Sequence, residues 1–572
     1  MSKPVGHLVF TLHTHLPFVL NHGRWPHGSD WLSEVTVECY LPLLRMLDRL
    51  ADDDVDAAVT INISPILCEQ LASVAFREEI TAFLDQCLRS CEETRRHFSD
   101  THEDTLAALC GHWRAVYEAR RREFEEMGGD LLARFRRLAD RGAIELITTA
   151  ATHGYFPLLS RDESLDLQLR TAVETHSRHF GRAPTGVWLP ECAYRPRYQW
   201  TPPVGPRSGK VRYRRRGVEE LLAGHGLAYF FTDVHLVRGG QALSAYRDYF
   251  PRLRTVAGPE GQFHRREDRS PYLSYRVASR GGTGDAVSFV RDPETTLQVW
   301  SRDAGYPGDE WYLEFHKRHF PGGLRFWRVT HPKSDLADKQ IYVPERARER
   351  TRAHAAHFTA LVRSVLARHA DEAGQAGVLC SPFDTELFGH WWHEGPTWLD
   401  HVLRGLAAEG VSATAAGTYH AEHRASGPIT LLEGSWGEGG DHRVWLNKDT
   451  AWTWEMVYQA EEELWEFVSH TPWQRTPLLR RIVAQLGREM LLLQASDWQF
   501  LITTWAARNY AETRFAEHYA DFTRLLELAK RVHGGGTLSW EEDELLVGKE
   551  AQDFCFPGIA EHIEAAAGLP PA

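Results

Sequence analysis

The sequence predicts an α/β fold organised as a parallel β/α barrel, because one arrangement recurs along the chain. Four times an apolar run ends in a group of polar residues and a helical pattern follows, with His13, His153, Glu191 and Asp384 at the four ends. In parallel β/α folds the functional side chains stand at the carboxyl ends of the strands. A chain of 572 residues is long enough for one large barrel with additional domains.

The first predicted strand covers residues 5–12 and leads to His13 and His15. Side chains two positions apart on an extended chain point to the same side, so this pair can bind a metal ion or hydrogen-bond to a hydroxyl or a carboxylate. Further on, the patterns predict a helix over 35–50, a strand over 55–63 and a long, charged, mostly helical segment over 65–140.

The middle and the end of the chain continue the alternation. The patterns predict strands over 143–151, 186–190, 227–233, 287–291, 377–380 and 412–416, helices over 163–180 and 345–369, and mostly helix from about 455 to 566. Residues 241–284 have little apolar periodicity and many Arg, Gly and Tyr residues, which predicts a long loop. Long loops in compact domains are usually functional.

The densest group of functional residue types follows the strand 377–380. Residues 381–393 contain two carboxylates, Asp384 and Glu386, together with two histidines and two tryptophans. Carboxylates beside an aromatic surface are suited to a sugar, whose C–H faces pack against aromatic rings. Taken alone, the segment also fits a strand and a loop whose aromatic residues fill the core. Glu191 and Asp384 together supply the two carboxyl groups that glycosidic cleavage requires.

Composition narrows the function classes. A net charge of −13 argues against a general binder of nucleic acid or of anionic membranes, which needs a basic face, and favours a neutral substrate. Eight cysteines without a CxxC pair indicate reduced thiols in a cytoplasm. Residues 1–18 have no signal-peptide pattern, and no stretch approaches 18 apolar residues, so we expect a soluble, unexported protein.

Five segments, in order, carry a resemblance to a known family. They are His13-Thr-His15-Leu-Pro, Ala151-Thr-His153-Gly-Tyr-Phe-Pro, Trp188-Leu-Pro-Glu191-Cys-Ala-Tyr194, the segment 381–395 around Asp384, and Ala495-Ser-Asp497-Trp-Gln-Phe. In these segments the chain resembles glycoside hydrolase family 57, and within it the 1,4-α-glucan branching enzymes. The resemblance implies a (β/α)7 barrel over 1–420, interrupted by a small helical insertion at about 193–228. It also implies an α-helical C-terminal domain over 421–572 that contributes to the active site.

The resemblance further implies a retaining double displacement that moves an α-1,4-glucan segment to a 6-hydroxyl, with no metal and no cofactor. Glu191 stands at the position of the nucleophile and Asp384 at that of the general acid/base. The expected substrate-binding residues are His13, His15, Trp25, Trp31, His153, Arg291, Trp300, Gly308, Trp436 and Asp497. The loop 241–284 is expected to shield the reaction from water, with Tyr246 or Tyr272 at its tip.

The expected partners are an α-1,4-glucan donor and acceptor, such as amylose or a glycogen-like polymer, with the protein a monomer or a small homo-oligomer. Three alternatives stay open on the sequence. One is an α-amylase or a 4-α-glucanotransferase of the same family. Another is a metal-dependent polysaccharide deacetylase, because strands that end in His-x-His can hold Zn²⁺. The last is a glucan-binding protein without catalysis.

Overall fold

The protein has a mixed α/β structure with a helical C-terminal region. The computed structural model describes residues 4–568 except 207, 211, 248, 257–268, 280, 283 and 302–303. The strands are β1 (Gly6–Thr14), β2 (Val59–Ile63), β3 (Ile144–Ile147), β4 (Gly186–Val187), β5 (Tyr198–Trp200), β6 (Tyr213–Arg215), β7 (Tyr229–Thr232), β8 (Tyr275–Ala278), β9 (Asp285–Val290), β10 (Gly377–Asp384), β11 (Val411–Ala413) and β12 (Ser426–Ile429).

Two mostly parallel sheets form the centre of the molecule. The first has the order β10-β1-β2-β3, with β11 also paired to β1, and the second has the order β12-β8-β9-β7-β4. Isolated parallel bridges join the sheets at two places, Thr148 with Val187 and Arg291 with Cys380. In the first sheet His13 lies opposite Asp384. The carboxyl ends of these strands therefore meet at one edge, which confirms the expected parallel sheet.

The helices before the C-terminal region connect and cover the strands. They are α1 (Ser29–Val35), α2 (Leu41–Asp52), α3 (Pro65–Ala72), α4 (Val74–Asp100), α5 (Asp104–Glu126), α6 (Leu131–Asp140), α7 (Asp162–Phe180), α8 (Val218–Gly224), α9 (Val234–Arg238), α10 (Pro293–Trp300), α11 (Pro344–Ala373), α12 (Gly395–Gly405) and α13 (Ala416–Glu422). The helical segment predicted over 65–140 is confirmed as α3 to α6. A π-helical turn, Thr36–Tyr40, joins α1 to α2, so the helix predicted over 35–50 begins earlier and is not uniform.

Local sequence signals explain several helix boundaries. The Asp292 side chain accepts a hydrogen bond from the Thr295 N–H at the start of α10, as an N-cap residue does. Helix α7 begins with Asp162 and Glu163, and it ends at Gly181 in the left-handed conformation with φ of 75°. Acidic residues at the first turn and glycine after the last are favourable for the helix dipole and for the backbone.

Two predictions need correction. The segment 193–228, expected to be a helical insertion, contains the antiparallel strands β5 and β6 before the short helix α8. Tyr and Trp at alternate positions suit such a ribbon, and Trp200 packs on Tyr213 across it. The loop predicted over 241–284 contains β8, which pairs antiparallel with β9. Residues 248, 257–268, 280 and 283 of that loop lie outside the described residues.

The C-terminal region is a group of packed helices. They are α14 (Ala451–His470), α15 (Pro477–Leu493), α16 (Asp497–Thr504), α17 (Arg508–His533), α18 (Trp540–Gln552) and α19 (Ile559–Ala566). All eight cysteines are unpaired. Within the described residues, no helix combines the length and the apolar character needed to cross a membrane.

Candidate active site

Glu191 follows β4 and is held by residues from the end of the chain. The indole N–H of Trp436 donates to one Glu191 oxygen at 2.8 Å, and the Ser496 hydroxyl donates to the other at 3.2 Å. The Glu191 backbone has φ of 62°, a left-handed conformation that is uncommon for a residue other than glycine. Such strain persists only where the surroundings hold it, and it is concentrated at functional sites.

Asp384 is the last residue of β10, and it is held by a different donor. The Tyr246 hydroxyl donates to the Asp384 Oδ2 atom at 2.7 Å. The Tyr246 ring also packs on Trp436, with 5.8 Å between the ring centroids. The two carboxyl groups are therefore linked through one pair of aromatic side chains. Tyr272 lies elsewhere, against His369, so only Tyr246 of the two candidate tyrosines contacts the site.

Three histidines form a stack beside the carboxyl groups. The His13 and His153 rings are 4.9 Å apart, and the His15 and His153 rings are 4.3 Å apart with 20° between their planes. The His13 Nδ1 atom lies 2.6 Å from the Asn62 Oδ1 atom. Burial and the neighbouring imidazoles lower the pKa of His13 and of His153, so both rings are neutral hydrogen-bonding groups at neutral pH.

The end of α15 and the start of α16 complete this side of the site. The Asp497 carboxylate lies 3.0 Å from the His15 Nε2 atom. The His153 Nδ1 atom lies 2.8 Å from the Ser496 hydroxyl, which in turn donates to Glu191. With its hydroxyl proton directed to Glu191, Ser496 accepts a hydrogen bond from the His153 Nδ1–H group, which leaves a lone pair on Nε2.

Arg291 and the aromatic residues line the opposite side. The buried Arg291 guanidinium stacks on the Trp436 ring at 5.2 Å and lies 3.4 Å from the Asp233 Oδ2 atom. Trp300 packs on Tyr246 with 5.0 Å between the ring centroids. The half-exposed Trp391 continues this wall, with its ring centroid 6.0 Å from that of Trp300. The wall is apolar with few polar groups, a composition typical of ligand sites.

The electrostatics of the two carboxyl groups favour one shared proton. Burial raises the pKa of Glu191 to about 8, against the hydrogen bond from Trp436, and the Asp384 charge adds to the increase. Burial also raises the pKa of Asp384 to about 6, against the hydrogen bond from Tyr246. The Asp384 charge is one of the causes that raise the pKa of Glu191, so the two carboxyl groups interact and titrate as a pair. At neutral pH the pair thus contains one carboxylic acid and one carboxylate.

The structure brings most of the predicted site residues together. His13, His15, His153, Glu191, Arg291, Trp300, Asp384, Trp436 and Asp497 are linked by the contacts given above. Trp25 and Trp31 lie on a neighbouring segment, where the Trp31 ring packs on His27 at 6.1 Å. Gly308 closes a 3₁₀ turn, Tyr306–Gly308, whose tyrosine packs against Trp398 of α12. Gly308 makes none of the contacts described above, and its part in substrate binding stays a prediction.

Some residues at the site were not among those predicted from the sequence. Ser496 and Trp188 belong to the motifs that contain Asp497 and Glu191, and Trp188 stacks on His13 at 4.9 Å. Asn62 ends the predicted strand 55–63, so a polar residue at a strand end was the available signal. Glu386, which the sequence analysis named without giving it a role, is buried and accepts a hydrogen bond from the Tyr40 hydroxyl at 2.7 Å. Its pKa is raised by burial to about 8.

One group at the site has the residue types of a metal centre. Ligand atoms of His15, His153 and Asp497 lie within 4.8 Å of one another. The two imidazole rings are stacked with nearly parallel planes, so their lone pairs run side by side. A tetrahedral Zn²⁺ needs lone pairs that converge on one point about 2 Å away. The arrangement suits hydroxyl groups of a ligand better than a metal ion.

Comparison with known proteins identifies the family. A model of glycosyl hydrolase family 57 matches residues 9–325, which is more than half of the chain. The chain belongs to glycosyl hydrolase family 57. A second model, the C-terminal region of 1,4-alpha-glucan branching enzymes, matches residues 456–563. Both matches confirm the resemblance found in the five sequence segments.

Individual members of family 57 agree with this assignment. The 1,4-alpha-glucan branching enzyme of Thermococcus kodakarensis is 40% identical over 532 residues, 93% of this chain and 75% of that protein. The crystal structure of the family 57 branching enzyme of Pyrococcus horikoshii is 37% identical, with a TM-score of 0.87, over 98% of this chain and 97% of that one. The α-amylase AmyC of Thermotoga maritima shares 25% identity and a TM-score of 0.77, over 98% and 99%.

Proposed function

We propose that this family 57 protein is a 1,4-α-glucan branching enzyme. It cleaves an α-1,4-glucan and transfers the segment to a 6-hydroxyl, which forms an α-1,6 branch. The observation that carries the proposal is the pair of partly buried carboxyl groups, Glu191 and Asp384, each with its own hydrogen-bond donor and joined by Tyr246 and Trp436. The match of residues 456–563 to the C-terminal region of branching enzymes supports transfer to a branch point.

In the first step the Glu191 carboxylate attacks the anomeric carbon of the donor glucan. The bond from that carbon to the leaving oxygen breaks, and Asp384 gives its proton to the leaving oxygen. Trp436 and Ser496 orient the attacking carboxylate. The higher pKa of Glu191 places the proton on Glu191 in the unbound site, whereas the first step requires it on Asp384. The positive charge that develops on the sugar stabilises ionised Glu191 and thereby favours the proton on Asp384. The product of this step is a covalent glucosyl-enzyme.

In the second step the 6-hydroxyl of an acceptor glucan attacks the anomeric carbon. Asp384, now a carboxylate, takes the hydroxyl proton, and Glu191 leaves as a carboxylate. Two inversions retain the α configuration. Water competes with the acceptor, so transfer requires a cover over the intermediate. Tyr246 supplies that cover, because its ring lies between Trp300 and Trp436 and its hydroxyl contacts Asp384.

The proposed architecture is a (β/α)7 barrel over residues 1–420 followed by a helical domain over 421–572. The strands β10, β1, β2, β3, β4, β7 and β9 form a closed order when the two bridges between the sheets are included. Closure removes exposed strand edges and gathers the strand ends around one site. The C-terminal part supplies Trp436, Ser496 and Asp497 to that site, which supports the proposed domain contribution.

The remaining proposals concern the substrates, the oligomeric state and the cellular location of the protein. The substrates are an α-1,4-glucan donor and acceptor, such as amylose or a glycogen-like polymer. The protein acts as a monomer or a small homo-oligomer. A cytoplasmic location is supported by the eight unpaired cysteines, since secreted proteins tend to oxidise theirs. Size-exclusion chromatography with light scattering tests the oligomeric state.

The direct test is incubation with amylose, followed by proton NMR for α-1,6 linkages and a reducing-end assay. Branching creates α-1,6 signals with few new reducing ends. Reducing ends without α-1,6 signals would instead show an α-amylase, the activity named for the Thermotoga maritima relative. Longer and shorter linear chains alone would show a 4-α-glucanotransferase. Loss of activity on adding a chelator would favour metal-dependent chemistry over the carboxyl pair.

We expect kcat/KM for branching to follow a bell-shaped pH profile with its maximum between about 6 and 8. Below the lower value both carboxyl groups are protonated and no nucleophile remains. Above the higher value both are ionised and no proton donor remains. Initial rates in overlapping buffers, with the fold followed by circular dichroism, measure the profile. A rate that does not fall on the alkaline side while the fold persists would contradict the shared proton.

Replacing Tyr246 by alanine is expected to increase the ratio of new reducing ends to new branches several-fold. The change removes the ring that covers Asp384 and admits water to the intermediate. Tyr272→Ala is the matched control, because Tyr272 belongs to the same predicted loop but packs on His369. If both variants keep the wild-type ratio, Tyr246 does not protect the intermediate.

A further inference from the structure

A groove lies outside the carboxyl pair, between the segment 22–28 and the start of α17. Its volume is about 760 Å³, and Trp505 and residues 507–510 form its second side. This volume is within the range of small-ligand sites. Two tryptophans border the groove, and both are open to solvent, Trp25 with 77% and Trp505 with 53% of its surface exposed.

Trp505 is held in an unfavourable backbone conformation. It follows the last turn of α16 with φ of 62° and ψ of 16°, the left-handed position that glycine normally occupies after a helix. A bulky aromatic residue there costs stability, and its ring is not buried in return. The guanidinium groups of Arg252 and Arg508 lie over the ring, at 4.1 and 5.7 Å from its centroid. The protein thus maintains an exposed, oriented aromatic ring at some energetic cost.

The charges around the groove favour a neutral ligand. Arg24 lies in the segment 22–28 and forms an ion pair with Asp30 at 3.0 Å. Arg508 forms an ion pair with Glu512 at 2.8 Å. The Arg252 guanidinium, which lies over Trp505, is 3.5 Å from the Asp449 carboxylate. Because carboxylates balance these three guanidinium groups, the groove has no excess positive charge for a phosphate or an acidic peptide. Guanidinium N–H groups and the exposed Asn509 amide remain suited to hydroxyl groups.

The inner wall of the groove adjoins the active site. The Tyr510 ring packs on Trp498 at 6.3 Å, and Trp498 follows Asp497 in the chain. On the other wall, His27 packs on Trp31 at 6.1 Å. A polymer that leaves the site on the Asp497 side therefore meets the groove next. Two exposed tryptophan faces on either side of such a path are suited to successive sugar rings.

We propose that Trp505 is a stacking platform that extends α-glucan binding beyond the catalytic subsites, across the groove from Trp25, which is already expected to bind substrate. The inference rests on the proposed α-glucan substrate. The groove is then an additional binding site, which holds one part of the polymer while a distant part of the same chain reacts at the carboxyl pair. Holding a chain in this way raises the local concentration of its other glucose units at the site.

The test measures polymer binding without turnover. All variants carry Glu191→Gln, so that the polymer is not turned over. Their mobility is followed by native electrophoresis in gels that contain amylopectin. The dissociation constant is taken from the dependence of the mobility on the amylopectin concentration. Adding Trp505→Gly is expected to raise the dissociation constant about three- to tenfold, the contribution of one aromatic stacking contact. Trp540→Ala is the control, since Trp540 is 73% exposed on α18 and outside the groove.

Thermal unfolding separates binding from a structural role. Glycine relieves the left-handed strain at position 505, so Trp505→Gly is expected to unfold at the same temperature as its parent or higher. Unchanged polymer affinity, an equal loss in Trp540→Ala, or a lower unfolding temperature would each overturn the proposal. Because no step of the test requires branching, a failure of the groove is distinguishable from a failure of the proposed reaction.

Discussion

Glu191→Gln is expected to lower the rate of α-1,6 linkage formation on amylose by about 10⁴-fold or more, the range for loss of a covalent nucleophile. The amide is nearly isosteric: its oxygen can accept the hydrogen bond from Trp436, and its NH2 group can donate to the Ser496 hydroxyl, which reverses the direction of that contact. It cannot attack the anomeric carbon as a carboxylate does. Asp384→Asn is expected to act in the same direction, because the leaving oxygen then receives no proton.

The matched control for this substitution is Glu394→Gln. Glu394 is another buried carboxyl group, held by the Tyr342 hydroxyl at 2.8 Å, and burial raises its pKa to about 7. It lies at the start of α12, outside the contacts of the catalytic pair. Comparable losses in Glu191→Gln and Glu394→Gln would show a general effect of removing a buried acid, and the nucleophile assignment would then fail.

Rescue by azide distinguishes the nucleophile from the general acid/base. With an α-glycosyl fluoride donor, the leaving group needs no acid. Asp384→Ala forms the glycosyl-enzyme, and azide then attacks it to give the α-glycosyl azide. In Glu191→Ala the azide replaces the nucleophile and attacks the donor directly, which gives the β-glycosyl azide. These opposite anomers, read by proton NMR, follow from the retaining mechanism. The reverse outcome would exchange the two assignments.

Trp436→Phe is expected to reduce kcat/KM about 10- to 100-fold and to move the alkaline limb of the pH profile, which the higher pKa of the pair sets, to higher pH. The indole N–H donates to Glu191, and a hydrogen bond to a charged group contributes about 1.5–3 kcal/mol. That donor stabilises the carboxylate and lowers the pKa of Glu191, so its removal raises the pKa further. A higher pH is then needed to remove the last proton from the pair, and the alkaline limb moves accordingly.

Trp473→Phe is the control for the loss of an indole. Trp473 is buried in the C-terminal region, and its N–H has no hydrogen-bond partner among the described residues. It makes no contact with the carboxyl pair, so its replacement is expected to leave the pH profile in place. If Trp436→Phe lowers the rate without any shift of the alkaline limb, packing rather than the hydrogen bond to Glu191 explains the effect.

The sequence by itself determined the family, the α/β class and the candidate pair Glu191 and Asp384. These features are local, because an apolar run that stops at a polar residue marks a strand end, and parallel strand ends share an edge. The roles assigned to the pair stay predictions until the substitutions are made. Helical segments such as 65–140 could also be predicted, because the hydrophobic periodicity of a helix lies within its own residues.

Only the tertiary structure decided which distant residues meet. The Trp436 donor to Glu191 lies 245 positions away in the chain, and Tyr246 lies 138 positions from Asp384. No local pattern distinguishes Tyr246 from Tyr272, because both belong to one aperiodic loop. The exposure of the Trp505 ring could not be predicted from the sequence either, because its conformation depends on a helix end and on two arginines. Which residues contact each other depends on how the whole chain packs in three dimensions, whereas the end of a strand follows from the local sequence.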